Sequence, residues 1–192
     1  EDAQDLPSDT DLVLYSPAVP ETDGQRQEAT RRAIRQISYP EALGELSREY
    51  STIAVSGTHG KSTTTAMLGK ILEAAGYDPT VIVGSKVPGF PDGNLRMGKS
   101  RWLVVEACEY RDHMRLIQPE IVVLTNIEAD HLDYYRDLDN VRMAFQVFVD
   151  SMRCRWLVVW NADDKESQAL KIDRGVPYGF EATAHVRATN RR

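Results

Sequence analysis

The chain has 192 residues and a formal net charge of −6, with 42% hydrophobic and 27% charged residues. This length and composition predict a globular protein that contains one full domain, or one domain and part of another. The acidic balance argues against a nucleic-acid surface, and no apolar run approaches the roughly 20 residues that span a bilayer.

Two short β–α steps open the chain. A strand is predicted at 12–15 and a helix at 25–36, followed by a second brief strand at 37–39 and a helix that begins near Pro40. Proline fits a first helical position because its missing N–H has no partner there. Since these steps have no glycine-rich loop of their own, residues 1–48 are interpreted as the tail of a Rossmann-like domain.

Residues 49–192 are predicted to form the main domain, because continuous apolar strands alternate with helices. This pattern is typical of an α/β fold with a mostly parallel sheet flanked by helices. Strands are predicted at 53–55, 80–83, 102–105, 121–125 and 156–160. Helices are predicted at 61–75, 112–117 and 176–178, and from Asp139 or Asn140 to about 152, while the Gly- and Pro-rich residues 84–100 should form a loop. The inward face of the last long helix is predicted to consist of Val141, Ala144, Phe145, Phe148 and Val149.

A glycine turn follows the first apolar strand of this domain and precedes its first helix. Gly57 and Gly60 bound the turn, and Lys61 and Ser62 come next. Glycines let backbone N–H groups turn toward an anion, and the following helix directs its positive end to the same point. A lysine here can reach the outer phosphates of a nucleotide, and the serine hydroxyl can bind Mg²⁺. The pattern predicts a phosphate loop of variant spacing, because the usual first glycine position holds Val55.

Polar side chains follow four of the predicted strands at their carboxyl ends, which is the edge where open parallel sheets bind ligands. The phosphate loop is one of these groups. Glu106 and Glu109 follow the strand at 102–105, and the segments 126–133 and 161–164 follow two others. Glu106 is predicted to bind Mg²⁺, directly or through water, because carboxylates beside a phosphate loop are suited to that ion. A solvated glutamate at a strand end would also fit the pattern.

One short segment contains four groups able to bind a cation, which are Glu128, Asp130, His131 and Asp133. A neutral imidazole at His131 could bind a second Mg²⁺. Alternatively, Asp130 and Asp133 cap the turn, and spacing alone does not separate these interpretations. His59, inside the glycine turn, is expected to shape the backbone in preference to contacting phosphate.

Four segments together resemble the Mur ligases. Residues 57–65 resemble the ATP loop of that family, 105–111 its acidic strand-end motif in one branch, and 125–135 its second metal motif. Residues 14–20 resemble the end of its N-terminal, UDP-binding domain. The combination covers most of the chain and is more specific than the phosphate loop alone.

The resemblance implies a fold, a reaction and a set of ligands. Residues 49–192 would be the central ATP-binding domain, with a P-loop ATPase fold, and 1–48 the C-terminal part of the UDP-substrate domain. ATP would phosphorylate the lactyl carboxylate of UDP-N-acetylmuramate, and the amino group of L-alanine would attack the acyl phosphate and release phosphate. The implied cofactors are ATP and Mg²⁺. A cytoplasmic location is expected, since the two cysteines form no framework and the acidic start does not resemble a signal peptide.

Site residues follow from the same resemblance, position by position. The implied catalytic residues are Lys61, Glu106 and His131, and the implied metal ligands are Ser62, Glu106 and His131. The implied nucleotide-binding residues are Gly57, Thr58, His59, Gly60, Lys61, Ser62, Thr63 and Asn161. Asn94 and Ser16 are implied to lie near the substrate.

The absence of one lysine indicates which branch of the Mur ligases the chain resembles. Several Mur ligases hold their second metal with a carbamylated lysine downstream of the histidine, and this chain has no lysine between Lys99 and Lys165. That favours the alanine-adding branch, with a ligase that recycles a murein tripeptide as the nearest rival. A non-catalytic nucleotide-binding module and a kinase remain compatible with the phosphate loop. Because the family's C-terminal domain has no counterpart here, the chain is expected to be a fragment that does not complete ligation alone.

Overall fold

The computed structural model describes residues 6–151, 157–181 and 183–189. The chain divides into two compact units, Glu1–Leu46 and Ser47–Arg192, and the break lies close to the predicted domain boundary. The assignment of these units to parts of two family domains stays a prediction. Among the helices in the described ranges, none has the length and apolar character needed to cross a membrane.

A two-stranded parallel sheet forms the centre of the first unit. Its strands are β1 (Leu12–Tyr15) and β2 (Arg35–Ser38), and helix α1 (Gly24–Arg31) connects them. The side chain of Asp23 caps α1 by accepting hydrogen bonds from backbone N–H groups of its first turn. The predicted extension of this helix to residue 36 is wrong, because Ala33 adopts a left-handed φ of 53° that a right-handed helix does not accommodate.

The second unit contains an eight-stranded sheet with the order β10-β9-β8-β7-β3-β6-β4-β5. All of the described neighbouring strands are parallel except β4 and β5, so the predicted α/β fold with a mostly parallel sheet is confirmed. The strands are β3 (Ser51–Ser56), β4 (Thr80–Ile82), β5 (Leu95–Arg96), β6 (Trp102–Glu106), β7 (Ile121–Leu124), β8 (Leu157–Asn161), β9 (Gly175–Gly179) and β10 (Val186–Arg187). The central strand β3 is buried along its whole length, as expected for a strand covered on both faces.

Five more helices and one 3₁₀ segment complete the described structure. They are α2 (Tyr39–Glu49), α3 (Lys61–Ala74), α4 (Leu132–Tyr135), α5 (Leu138–Asp150), α6 (Lys165–Gln168) and the 3₁₀ segment Tyr110–Leu116. The five residues predicted to line the inner face of α5 are all buried, which confirms the 3.6-residue periodicity. The cap predicted at Asp139 or Asn140 is wrong. Asp137 caps this helix, because its carboxylate accepts a 2.8 Å hydrogen bond from the Asn140 backbone N–H.

Two further local predictions are wrong because pairing with distant strands decided the structure. Residues 176–178 lie in β9 and not in a helix, since this segment pairs in parallel with β8 and places Val176 opposite Val159. The segment 84–100 is not only a loop, since Leu95–Arg96 pair antiparallel with β4. The predicted strand at 156–160 is present from Leu157 onward, and residue 156 lies outside the described residues.

Candidate active site

The glycine turn connects the buried end of β3 to the start of α3. Gly57 has a φ of 131° and Gly60 a φ of 80°, values that L side chains rarely adopt. A Cβ atom on Gly57 would lie 2.1 Å from Thr125 Oγ1, at the end of the neighbouring strand β7, so the close approach also requires glycine. Gly60 is the N-cap of α3 and supplies no side-chain cap, and the helix therefore presents its N-terminal end to this turn.

Lys61 is folded back over the turn that precedes it. Its Nζ atom donates hydrogen bonds to the backbone carbonyls of Gly57 and Thr58, at 2.7 and 2.9 Å. A third bond of 3.0 Å goes to Glu109 Oε1. The pair is largely removed from solvent, with 12% of the Lys61 side chain and 2% of the Glu109 side chain exposed. The charge of Lys61 is thus matched by a buried carboxylate on the segment that follows β6.

Ser62 lies against the predicted magnesium ligand. Its hydroxyl Oγ is 2.9 Å from Glu106 Oε2 and 3.1 Å from Oε1. The Gly84 backbone N–H donates a 2.7 Å hydrogen bond to Glu106 Oε2 and so orients the carboxylate. The first residue pair that the sequence assigned to a metal is therefore brought together, because β3 and β6 are adjacent in the sheet.

The other side of the glycine turn is held by the end of β7. The Asn126 side chain receives a 2.9 Å hydrogen bond from the His59 N–H and donates one of 3.2 Å to the His59 carbonyl. Thr58 Oγ1 accepts a 2.8 Å hydrogen bond from the Glu128 N–H. The His59 imidazole itself is 62% exposed and lies 3.7 Å from the Glu128 carboxylate. These bonds are consistent with a role of His59 in shaping the turn.

His131 lies at the start of α4 and is close to a different carboxylate from Glu106. Its Nε2 atom is 3.8 Å from Glu109 Oε1. One ligand atom each from Glu109, Asp130 and His131 lies within 4.8 Å of the others. The Tyr110 ring packs on the imidazole with 4.6 Å between ring centres. The sequence pattern predicted Glu109 at this edge of the sheet but indicated no role for it, although it shares the strand-end segment of Glu106.

The segment that carries Glu109 is fixed from behind by Tyr135. The Tyr135 hydroxyl has two acceptors for its one proton, the Glu109 backbone carbonyl and, at 3.1 Å, Asp112 Oδ1. Burial and the Asp112 carboxylate raise the pKa of this hydroxyl well above its ordinary value, so it stays protonated and remains a donor. Burial also raises the pKa of the neighbouring Cys108 thiol, which disfavours a thiolate nucleophile here.

Four of the predicted site residues either bond to the backbone or are exposed. Asn161 donates a 3.0 Å hydrogen bond to the Thr125 carbonyl, so its amide links two strand ends. Asn94 donates one of 3.1 Å to the Val83 carbonyl. Ser16 lies in the first unit, where its hydroxyl accepts a 3.3 Å hydrogen bond from the Ala18 N–H. Thr63 is exposed on the first turn of α3.

The donor set of the site fits a hard divalent cation. The hydroxyl of Ser62 and the carboxylate of Glu106 are oxygen ligands of the kind that Mg²⁺ prefers. Glu109, Asp130 and His131 offer two further carboxylates and an imidazole. Within the described residues, Glu109 Oε2 is buried and its one charged contact is the Lys61 ammonium at 2.8 Å, with no further hydrogen-bond donor beside it.

Residues 55–192 match the Mur ligase middle domain. The chain belongs to the Mur ligase family. The match begins within β3 and covers the glycine turn, both carboxylate segments and the histidine. It confirms the family that the four sequence segments indicated.

Named relatives of the chain point to one branch of the Mur ligases. It is 39% identical over 168 residues to the UDP-N-acetylmuramate–L-alanine ligase of Borreliella burgdorferi, an alignment that covers 86% of this chain and 35% of the relative. It is 41% identical over 186 residues to the enzyme of that name from Salinibacter ruber, with 95% and 39% covered. The chain therefore spans well under half the length of these relatives.

The fold agrees with a solved Mur ligase structure. The crystal structure of UDP-N-acetylmuramate-alanine ligase from Thermotoga maritima superposes with a TM-score of 0.79 at 30% identity. The superposition covers 92% of this chain and 40% of the solved chain. The arrangement of strands around the glycine turn is thus the arrangement of a Mur ligase.

Proposed function

We propose that this chain is the ATP-binding part of a ligase that joins L-alanine to UDP-N-acetylmuramate. The observation that carries the proposal is the start of α3, where Lys61 and Ser62 stand beside the strand-end carboxylates of Glu109 and Glu106. A phosphate group at the helix N-terminus would meet the Lys61 ammonium, and the Glu106 carboxylate would hold a cation that neutralises phosphate charge. The named relatives support the choice of substrates.

The proposed reaction requires a site that neutralises the negative charge of its two reacting groups. The lactyl carboxylate of UDP-N-acetylmuramate would attack the γ-phosphate of ATP, two anionic groups that repel each other. Lys61 would hold the phosphate oxygens, and backbone N–H groups of the turn would orient them. The amino group of L-alanine would then attack the acyl phosphate, and inorganic phosphate would leave.

Magnesium fits the same site. Ser62 and Glu106 would hold one ion, and His131 with a nearby carboxylate would hold a second. Bound Mg²⁺ supplies charge neutralisation on the phosphate oxygens. We further propose that Asn161 and Thr63 lie near the nucleotide, that Asn94 and Ser16 lie near the substrate, and that residues 1–48 belong to a UDP-substrate domain. A cytoplasmic location stays a prediction.

The decisive experiment measures phosphate release by the full-length gene product that contains this chain. Release should require ATP, Mg²⁺, UDP-N-acetylmuramate and L-alanine together, because the acyl phosphate forms on one substrate and is consumed by the other. The chain of 192 residues by itself is expected to bind nucleotide without turnover. A tripeptide in place of L-alanine tests the recycling ligase, and release that prefers the tripeptide would replace our assignment with that one. Phosphate release that depends on neither L-alanine nor the tripeptide would refute the ligase assignment.

The metal assignment is tested by how nucleotide affinity depends on Mg²⁺. Mg²⁺ is expected to raise the affinity for an ATP analogue, and in Glu106→Gln this increase should be smaller by about tenfold or more. That factor corresponds to a loss of about 1.4 kcal/mol or more in the coupling free energy between Mg²⁺ and nucleotide binding. His131→Ala is expected to act in the same direction. Glu73→Gln, which removes an exposed carboxylate from the far end of α3, serves as the matched control. Equal Mg²⁺ dependence in all three variants and the wild type would show that neither residue contacts the ion.

A further inference from the structure

All three N–H donors of the Lys61 ammonium are engaged within the protein. An ammonium group has three N–H donors, and the three acceptors around Nζ are the Gly57 and Thr58 carbonyls and Glu109 Oε1. Lys61 cannot donate to a phosphate from this position without giving up at least one of these bonds. The bond to Glu109 is the one that carries an opposite charge.

Glu109 depends on that contact, because 2% of its side chain is exposed. Its Oε2 atom lies 2.8 Å from Nζ as an ion pair and accepts no hydrogen bond from any described residue. A buried carboxylate whose partner leaves is strongly unfavourable, since the remaining charge is neither hydrated nor paired. Binding of a ligand that draws Lys61 away is therefore favoured when a new positive charge reaches Glu109.

The neighbours of Glu109 can hold such a charge in the form of a divalent cation. Ligand atoms of Glu109, Asp130 and His131 lie within 4.8 Å of one another, which is close enough for small side-chain movements to bring all three to one ion. The backbone of Glu109 is held by Tyr135, so the carboxylate does not need to move far to change partners. The ammonium and the metal ion would thus need the same acceptor group, the Glu109 carboxylate.

We propose that Lys61 and a divalent cation compete for Glu109, which makes Glu109 a positioning residue that couples phosphate binding to cation binding. Without ligands, Glu109 holds Lys61 against the turn. When a phosphate draws Lys61 outward, a cation takes its place beside Glu109, Asp130 and His131. This inference depends on the proposed function only where it takes a nucleotide phosphate as the anion that attracts Lys61.

The competition can be tested with the metal alone and no nucleotide. Binding of Mn²⁺ to the full-length protein is followed by the electron paramagnetic resonance signal of the free ion. Lys61→Met is expected to tighten Mn²⁺ binding at the highest-affinity site about tenfold, and the double variant Lys61→Met with Glu109→Gln is expected to lose that gain. Lys70→Met, on an exposed position of the same helix, is the matched control and should stay within about twofold of the wild type.

Two results of this titration would overturn the inference. One is a Lys61→Met protein that binds Mn²⁺ within about twofold of the wild type. The other is a double variant that keeps the full gain, since the ion would then bind independently of Glu109. Because this Mn²⁺ titration contains no nucleotide, it tests the competition between Lys61 and the cation even if the full-length protein has no ligase activity.

A second experiment uses Glu109→Gln, which keeps the side-chain shape and is therefore expected to fold. It provides an independent test if Lys61→Met does not fold. Without a divalent cation, this variant should bind a non-hydrolysable ATP analogue about tenfold more tightly than the wild type, because Lys61 is no longer held back. Added Mg²⁺ should then strengthen binding less than in the wild type. Glu73→Gln, which removes an exposed carboxylate at the far end of α3, controls for the general loss of negative charge. Weaker binding by Glu109→Gln at every Mg²⁺ concentration would show a purely structural role and refute the coupling.

Discussion

Replacing Lys61 by alanine is expected to weaken binding of a non-hydrolysable ATP analogue by about 100-fold in the presence of Mg²⁺. Hydrogen bonds to charged groups contribute about 1.5–3 kcal/mol each, and a loss of about 2.7 kcal/mol corresponds to this factor. Lys61 is the first residue of α3 and its Nζ bonds to carbonyls of the glycine turn, so its removal takes the positive charge directly from this turn. Isothermal titration calorimetry on the purified protein measures the change directly.

Lys70→Ala is the control for this prediction. Lys70 stands on the same helix, with about half of its side chain exposed and a 4.0 Å contact to Glu73. Its removal changes the net charge by the same amount as that of Lys61 and leaves the glycine turn untouched, so affinity should change by less than about twofold. If the two alanine variants bind the analogue equally well, the phosphate-loop assignment is wrong.

Gly57→Ala is expected to be the most destabilising single change in the site. The added Cβ would lie 2.1 Å from Thr125 Oγ1 and 2.9 Å from the Asn126 carbonyl oxygen, and the φ of 131° is strained for any L side chain. Overpacking and backbone strain each cost about 1–3 kcal/mol, so we expect a loss of about 2–6 kcal/mol in the free energy of unfolding. For a chain of this size, that lowers the melting temperature by about 5–25 °C.

Gly60→Ala separates backbone strain from the steric clash. Gly60 has a left-handed φ of 80°, and no neighbouring atom lies within 4 Å of the Cβ position. A left-handed conformation alone costs about 1–2 kcal/mol for a residue with a side chain. Thermal unfolding followed by circular dichroism should therefore show a clearly smaller loss than for Gly57→Ala. Equal losses would mean that close packing of the turn against β7 does not contribute.

The local sequence pattern was sufficient to predict much of the fold. The apolar run that ends at Gly57, the helix that begins at Lys61 and the five-residue inner face of α5 are encoded within single segments. Their periodicity and their terminating residues act through neighbours in the chain, so they are predictable without the fold. The strand ends also placed Glu106 correctly at the edge of the sheet, because parallel strands share one direction.

Local pattern failed where a distant partner decided the conformation. The Val-Pro-Tyr run inside Gly175–Gly179 has no strong strand signal of its own, and it is extended because β8 offers backbone hydrogen-bonding groups along the segment. Likewise, Leu95–Arg96 pair with β4 inside a stretch whose composition is typical of a loop. These elements exist through interstrand hydrogen bonds, which no window of adjacent residues contains.

The amino-acid sequence by itself determined the phosphate-loop type of turn, the α/β class and the Mur ligase family, because glycines, a lysine and strand-end acids in fixed order carry that information locally. Only the tertiary structure decided which carboxylate contacts which of the side chains Lys61, Ser62 and His131. The sheet order places β3 between β6 and β7, so that Lys61 pairs with Glu109 while Ser62 contacts Glu106, and His131 Nε2 lies 3.8 Å from the same Glu109 carboxylate. Such pairings depend on distances across the sheet, and burial then gives them their energetic weight, because an unpaired charge there cannot be hydrated.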